Sequence, residues 1–506
     1  MNDIELNTKM PNEYSEWIKN PKIYEINTWP WLHSLSEIYN KTISLNNIPD
    51  EVFNQEIKYF DAIWLMGVWE RSPASKKIAL EHPDLQKEYH KALHDFKDED
   101  VVGSPYSVYY YHVDNNIGGI DGLRSFRKRL AEKNIKLILD YVPNHVSVDS
   151  LWTFDSNLFI EGSLDDLMTH PYEFFSIGEQ VYANGRDPNF PPWTDAIQIN
   201  AFSEEARQKT ISTLLNIAEL SDGVRCDMAM LLTNNVFSRT WGEKAGSLPD
   251  KEFWEEIIPM VKEKYPNFLF IAEVYWDMEW ELQQQGFDFC YDKMLYERLA
   301  HENASTIRDH LKAEWAYQSK LLRFIENHDE VRALEKFGEE KLKAAAIIAL
   351  TLPGARLIYE GQTRGSKIKF PVQLGRHPFE EPNKNIFDFY QELLKSIPGR
   401  EYGKGSWSLC EAKSVNLDDS SFSNIISYLW WVNGNYRLIV VNYSPNPSKA
   451  HIKISPFHFD TNRWIFTDLL LQKSYIYNGE DLYKYGLYVD LNAWKGHIFN
   501  IKKESN

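Results

Sequence analysis

Arg225 and Asp227 frame the chemistry open to this chain. They lie in residues 221–230, SDGVRCDMAM, which read as a short strand ending in charge. Alternate side chains of a strand share a face. Arg225 and Asp227 are therefore expected on one face, with Val224, Cys226 and Met228 on the other. An arginine and an aspartate on an inner face are costly to bury unless they pair or react. Other apolar runs end the same way. Residues 135–142 (IKLILDYV) carry Asp140 and lead into Asn144 and His145. Residues 267–274 (NFLFIAEV) carry Glu273, and residues 321–326 (LLRFIE) lead into Asn327, His328 and Asp329. Glycoside cleavage needs such a set: one carboxyl attacks the anomeric carbon and a second protonates the leaving oxygen. A third carboxylate can bind sugar hydroxyls. Crowding also separates the pKa values, so that one group stays protonated near neutrality.

These groups need a scaffold that gathers strand ends. Eight apolar runs, at 23–28, 62–68, 135–142, 221–230, 267–274, 286–290, 321–326 and 355–359, alternate with helix-like segments. One such segment, residues 204–220, carries an apolar stripe of Ile211, Leu214, Leu215 and Ala218 at helical spacing. Continuous apolar strands alternating with helices predict a parallel sheet covered on both faces. Eight of them predict a closed (β/α)8 barrel, whose site lies at the C-terminal strand ends. No GxGxxG turn supports an open doubly wound sheet. Residues 1–145 and 196–400 are assigned to the barrel. Residues 146–195, rich in Gly, Pro and aromatics (GRDPNFPPW), are assigned to an inserted subdomain. From 401 to 506 the pattern turns aromatic and β-branched, with a hairpin expected at 424–443 around Asn433-Gly434-Asn435. This part is assigned to an all-β sandwich. The first 20 residues read as a polar lead-in.

The formal net charge is −18, with no basic patch, so neither nucleic acid nor an anionic membrane is an expected partner. Three scattered cysteines form neither a disulfide framework nor a zinc pattern. With no apolar signal core or spanning run, a cytoplasmic location is expected. The 17 tryptophans suit both a large core and flat platforms for sugar faces. Trp69, Trp193 and Trp276 are candidates for a cleft wall.

Four stretches, IKLILDYVPNH, DGVRCDMAM, IAEVYW and FIENHDE, resemble in order the four signature stretches of the α-amylase family, glycoside hydrolase family 13. PPWTDAIQIN and GSPYSVYYYHVD extend the likeness, which covers roughly residues 20–400. The resemblance implies Asp227 as nucleophile, Glu273 as general acid/base and Asp329 as transition-state stabiliser. It implies that Arg225 orients Asp227, that His145 and His328 bind sugar hydroxyls with Asp140 behind them, and that Tyr106 stacks on the same sugar. The implied reaction is retaining, with the Asp227 and Glu273 carboxyls about 5–5.5 Å apart. It acts on α-glucosidic bonds of an oligosaccharide or disaccharide, with water or another acceptor completing turnover. No cofactor is required. Asn144 matches a calcium ligand of many members, which makes calcium an optional expectation. Many members carry Lys-His after the nucleophile, facing the leaving-group sugar; here Met230 and Leu231 stand there, which argues against a starch-chain acceptor site. The alternative from another class is a non-catalytic carbohydrate-binding or interaction protein on the same barrel. Such relatives usually lose carboxylates, and this chain keeps all three. A metal-dependent barrel hydrolase would need an HxH pair on the first strand, which IYEINT lacks.

Overall fold

The eight apolar runs close on one another. In the computed structural model, which describes residues 17–399, 402, 405–454, 457 and 459–504, they form strands β1 (Lys22–Asn27), β2 (Ala62–Met66), β3 (Lys136–Tyr141), β4 (Gly223–Cys226), β5 (Leu269–Ala272), β6 (Phe289–Tyr291), β7 (Leu321–Arg323) and β8 (Ala355–Tyr359). Each pairs in parallel with its sequence neighbours, and β8 returns to β1 to close the barrel. Most of the expected polar lead-in lies outside the described residues.

Between strands the chain crosses through helices whose apolar faces cover the barrel. Helix Glu204–Leu220 feeds β4. Ser203 caps its start by accepting a bond from Ala206 N at 3.3 Å, and Ile211, Leu214 and Ala218 are buried. At the entrance to β4, Gly223 has no Cβ because one would lie 2.9 Å from Leu269 Cβ. The two strands that carry Asp227 and Glu273 to their ends are thereby drawn together.

Six of the eight strands are shorter than their apolar runs, β1 and β8 keeping full length and β6 ending one residue past its run, and the shortening of β4 and β5 falls at the chemistry. β4 stops at Cys226 rather than continuing to 230, so Asp227 is the first residue past the ladder. Met228 turns into the left-handed region (φ 42°, ψ 45°), and a 3₁₀ turn follows over Ala229–Leu232. Met228 therefore does not share a face with Val224 and Cys226; it borders the cleft. The run at 267–274 ends its ladder at Ala272, which leaves Glu273 just beyond. Strand alternation accounts for Arg225, whereas Asp227 and Glu273 owe their positions to the turns.

Two excursions wall the barrel mouth. After β2 the chain makes a two-stranded ribbon, Trp69–Arg71 with Val108–Val113, and helices Pro73–Glu81 and Pro83–Ala92. After β3 it builds an antiparallel sheet from His145–Ser147, Glu161–Gly162, Phe174–Ile177, Gln180–Gly185 and Trp193–Gln198, over a small core including Trp152, Phe159 and Tyr182. This sheet continues past residue 195. Beyond the barrel, two antiparallel sheets enclose Leu438, Val440, Ile452, Phe466 and Val489. Strands Ile425–Val432 and Asn435–Asn442 join through a two-residue turn, Asn433 and Gly434, both with positive φ (46° and 79°), the geometry of a twisted hairpin. Trp430 docks this unit on the barrel by donating from Nε1 to Thr351 O at 2.8 Å.

Candidate active site

Arg225, fully buried on β4, organises the barrel mouth. Parallel pairing sets it beside Asp140 of β3 and Ile271 of β5. Its guanidinium forks: Nη1 meets Asp227 Oδ1 at 2.6 Å and Nη2 meets Glu273 Oε2 at 2.7 Å, while Nε donates to the Tyr291 hydroxyl at 3.2 Å. The rings of Trp64, Tyr106 and Tyr291 lie 5.2–5.7 Å from its centre. One planar cation thus ties the two carboxylates into a fixed pair, a geometry that lysine could not supply.

The two carboxyls differ in surroundings. Glu273 forms an ion pair with Arg225 and accepts from the Tyr275 hydroxyl (2.8 Å) and from Met228 N (2.7 Å). Burial nevertheless dominates and lifts it to about 7, with Asp227 and Asp329 adding to the rise against Arg225. Burial also raises Asp227 above the ordinary carboxylate range, opposed by the charge and hydrogen bond of Arg225. The backbone around them is strained: Met228, Trp276 and Asp277 all have positive φ, at a cost of about 1–3 kcal/mol each. Such strain needs the rest of the fold to sustain it.

Asp329 has a 44% exposed side chain and opens into the cleft. Burial of its surroundings pushes it up, but His328 and then Arg225 outweigh this and hold it at about 2. His328 is clamped. Its Nδ1 donates to Glu25 Oε1 at 2.5 Å, and its Nε2 faces the Tyr106 hydroxyl at 2.7 Å and Asp329 Oδ2 at 3.1 Å. Burial opposes its charge, but Asp329 and Glu25 raise it well above an ordinary histidine. His145 is the opposite case: burial lowers it to about 4. Its ring packs tilted against Trp193, at 42° with ring centres 4.8 Å apart. Its space exists because a Cβ on Gly185 would lie 3.0 Å from that of His145. The barrel mouth thus offers one imidazolium and one neutral imidazole.

Asp140 is buried beneath, 3.8 Å from Arg225 Nη1, and burial lifts it to about 6 against Arg225 and His328. Tyr106 stacks on His328 with centres 5.3 Å apart. The fold therefore brings all eight expected residues together. Tyr106, His145, Asp227, Glu273 and Asp329 line one cleft of about 420 Å³, while Asp140, Arg225 and His328 back it. Ile78, His82 and Leu85 wall one side of the cleft and Trp193 another. Of the other tryptophans, Trp69 is buried and donates to Asp140 O, and Trp276 is 38% exposed.

Asn144 does not fit a calcium role. Its side-chain oxygen accepts from Gln198 Nε2 at 2.9 Å and its amide donates back at 3.2 Å. Calcium requires several oxygen ligands, usually with carboxylates among them. Here the partner is a neutral amide, and among the described residues no three His, Cys, Asp or Glu side chains stand together to hold a metal.

Three members of the site escaped the sequence reading: Glu25, Tyr275 and Tyr291. Glu25 carried a signal, a carboxylate inside an otherwise apolar strand (IYEIN), which is costly without a partner. Tyr275 stands two residues past Glu273 in a turn, and Tyr291 is an ordinary strand aromatic until Arg225 is placed beside it.

No family model matches the chain. It is 22% identical over 448 residues to "Alpha-amylase MalA" of Haloarcula japonica, covering 84% of this chain and 57% of that protein. It is 24% identical over 311 residues to "Alpha-amylase 3" of Dictyoglomus thermophilum, covering 57% of this chain and 60% of that one. The chain thus spans less than two thirds of either relative. Among solved structures, the α-amylase of Geobacillus thermoleovorans complexed with acarbose superposes with a TM-score of 0.66 at 17% identity, over 97% of this chain and 100% of that one. The likeness places the whole architecture, barrel and antiparallel C-terminal sheets together, among α-amylase folds. No helix among the described residues is long and apolar enough to cross a membrane.

Proposed function

We propose that the chain is a retaining glycosidase acting on α-glucosidic bonds of short oligosaccharides or disaccharides. The observation that carries this reading is the Arg225 fork, which holds an ionisable Asp227 beside a Glu273 that remains half protonated at about pH 7. In the first step an Asp227 oxygen bonds to the anomeric carbon while the glycosidic C–O bond breaks. The proton of Glu273 passes to the leaving oxygen. In the second step an acceptor hydroxyl, of water or a sugar, gives its proton to Glu273 and displaces Asp227, so that two inversions restore the α-configuration. Asp329 and the two histidines suit the hydroxyls of the reacting sugar, and Asp329 carries negative charge towards the cationic transition state.

The size and walls of the cleft support short substrates. About 420 Å³ is at the small end for ligand pockets. Met230 and Leu231 are buried in the core and offer no polar group to a further acceptor sugar. We place the protein in the cytoplasm, because Cys226 and Cys290 are buried free thiols. A panel of maltose, longer maltooligosaccharides, sucrose, trehalose and an aryl α-glucoside, each with and without phosphate and followed by NMR, tests the reading. An α-configured first product is expected. Release from none of these substrates would sink it, and a β-configured first product would remove the retaining mechanism.

Glu25 supplies a separate test. Replacing it by Gln keeps the shape but takes away one of the two charges, with Asp329 the larger, that hold His328 as an imidazolium. A hydrogen bond to a charged group contributes about 1.5–3 kcal/mol, so kcat/KM of Glu25→Gln is expected to fall about 10- to 100-fold. Glu25 is a positioning residue, and the pH profile separates this role from simple packing. His328 should lose its proton at lower pH in the variant, bringing in an earlier alkaline decline. A variant that loses activity with an unchanged profile would assign Glu25 to packing alone.

A further inference from the structure

A second cavity, of about 410 Å³, lies on the far side of the barrel wall. Glu25 faces the barrel interior and touches His328, so its strand neighbour Tyr24 faces outward. Tyr24 stacks on Phe60 with ring centres 4.5 Å apart, and its hydroxyl donates to Glu56. Glu56 lines this cavity, which runs between helix Thr28–Ile38 and the segment after β8. The cavity shares no lining residue with the cleft. It is an outer site, separated from the chemistry by β1.

Its walls mix groups of both signs. Glu360 accepts from Asn27 N and from His377 Nε2, at 3.2 and 3.1 Å. Glu56 accepts from the Tyr24 hydroxyl through Oε1 and lies within the field of Arg364. Arg364, at the rim, acts on Glu56 through its charge and makes no ion pair within 4.0 Å among the described residues. Among the described residues, two buried nitrogens of cavity-lining residues have no acceptor: Nε1 of Trp31, 3% exposed, and Nε of Arg332, 4% exposed. Native proteins rarely leave such groups unmatched. At the mouth, Phe379 is 86% exposed and Ile38 66%, a flat apolar edge with nothing folded over it.

An anion would meet Glu56 and Glu360 here, and a cation would meet Arg332 and Arg364. A neutral ligand with many hydroxyls satisfies both kinds of group, because each hydroxyl donates and accepts. Its C–H faces would rest on Phe379. We propose that this cavity is a second carbohydrate-binding site, which takes a short α-glucan separately from the one in the cleft. The choice of α-glucan rests on the function proposed above.

Equilibrium titration of Asp227→Asn with maltotetraose tests it, alone and combined with the rim changes Phe379→Ala and Arg364→Ala. Both rim side chains are exposed, so folding should survive, and a thermal melt checks this. One binding event is expected to weaken about tenfold or more on the rim changes. In the otherwise unaltered protein, the same changes should leave turnover of an aryl α-glucoside intact. Binding isotherms identical with and without the rim changes would overturn the site, as would absence of any binding. A rim-sensitive event in a protein that turns over no α-glucoside would keep this site and reject the catalytic reading. Turnover with rim-insensitive binding would do the reverse.

Discussion

Asp227→Asn should reduce turnover of every α-glucoside by about 10⁴-fold or more, the scale of loss when an enzyme's nucleophile is removed, while the protein melts no lower than the original. The first half follows from the proposed covalent step. An amide oxygen at the position now 2.6 Å from Arg225 Nη1 keeps the shape but cannot form the glycosyl ester. The second half follows from the direction of the shift. Asp227 is raised above an ordinary aspartate, first by burial, so folding disfavours its charged form relative to the unfolded chain. The proposed nucleophile acts in that form, and its confinement opposes stability. A neutral isostere removes the opposition, and Arg225 keeps Glu273 at 2.7 Å. Steady-state kinetics and a thermal melt at pH 7 check the two halves. Near-normal rates would reject the nucleophile assignment. A large drop in melting temperature would show that the pair is held for structure.

That trade-off bears on how far the site could be read from the sequence. Arg225 was legible because strand alternation puts it on an inner face, where an unpaired charge is costly. Asp227, Glu273 and Asp329 were legible because each follows an apolar run that a barrel must end. Glu25 follows the same logic. Its charge sits mid-strand, away from any strand end, and its partner His328 is 303 residues away in sequence, a pairing that only barrel closure makes. Met228 resisted for another reason. Its reading as a strand residue followed the period of two, but the chain leaves the ladder at Cys226 and adopts a conformation uncommon for any residue except glycine. Seven of the eight strands carried clear apolar signals, and the sixth, GFDFC at 286–290, a weaker one because Asp288 interrupts it. The sheet after β3 did not, because its strands run only two to six residues and its core is a small separate cluster. The second cavity left no trace, since Phe379 and Ile38 look like ordinary apolar residues until their exposure is known.

Glu273→Gln should separate the two halves of the reaction by leaving group. A sugar leaving as an alkoxide needs the proton, so maltose turnover is expected to fall about 10²- to 10⁴-fold. An aryl α-glucoside whose phenol leaves unaided should be far less affected in its first step. The pH dependence fixes the sign independently. Glu273 lies at about 7, raised from the ordinary 4.5 chiefly by burial, so it is protonated below neutrality and ionised above it. For sugar leaving groups, kcat/KM of the unaltered protein should decline as pH rises through about 7. The variant, with no proton to lose, should show no such decline. The same shift acts on stability. Between pH 4.5 and about 7 the folded state holds a proton that the unfolded state has released. This group's contribution is therefore complete below 4.5 and is lost as pH rises through 7. Glu273→Gln should remove that slope, so its melting temperature, measured from pH 4.5 to 8, should gain on the original protein towards the alkaline end. An alkaline decline that survives in the variant would move the acid role to another group, and Tyr275, whose hydroxyl lies 2.8 Å from Glu273 Oε1, would be the next to replace.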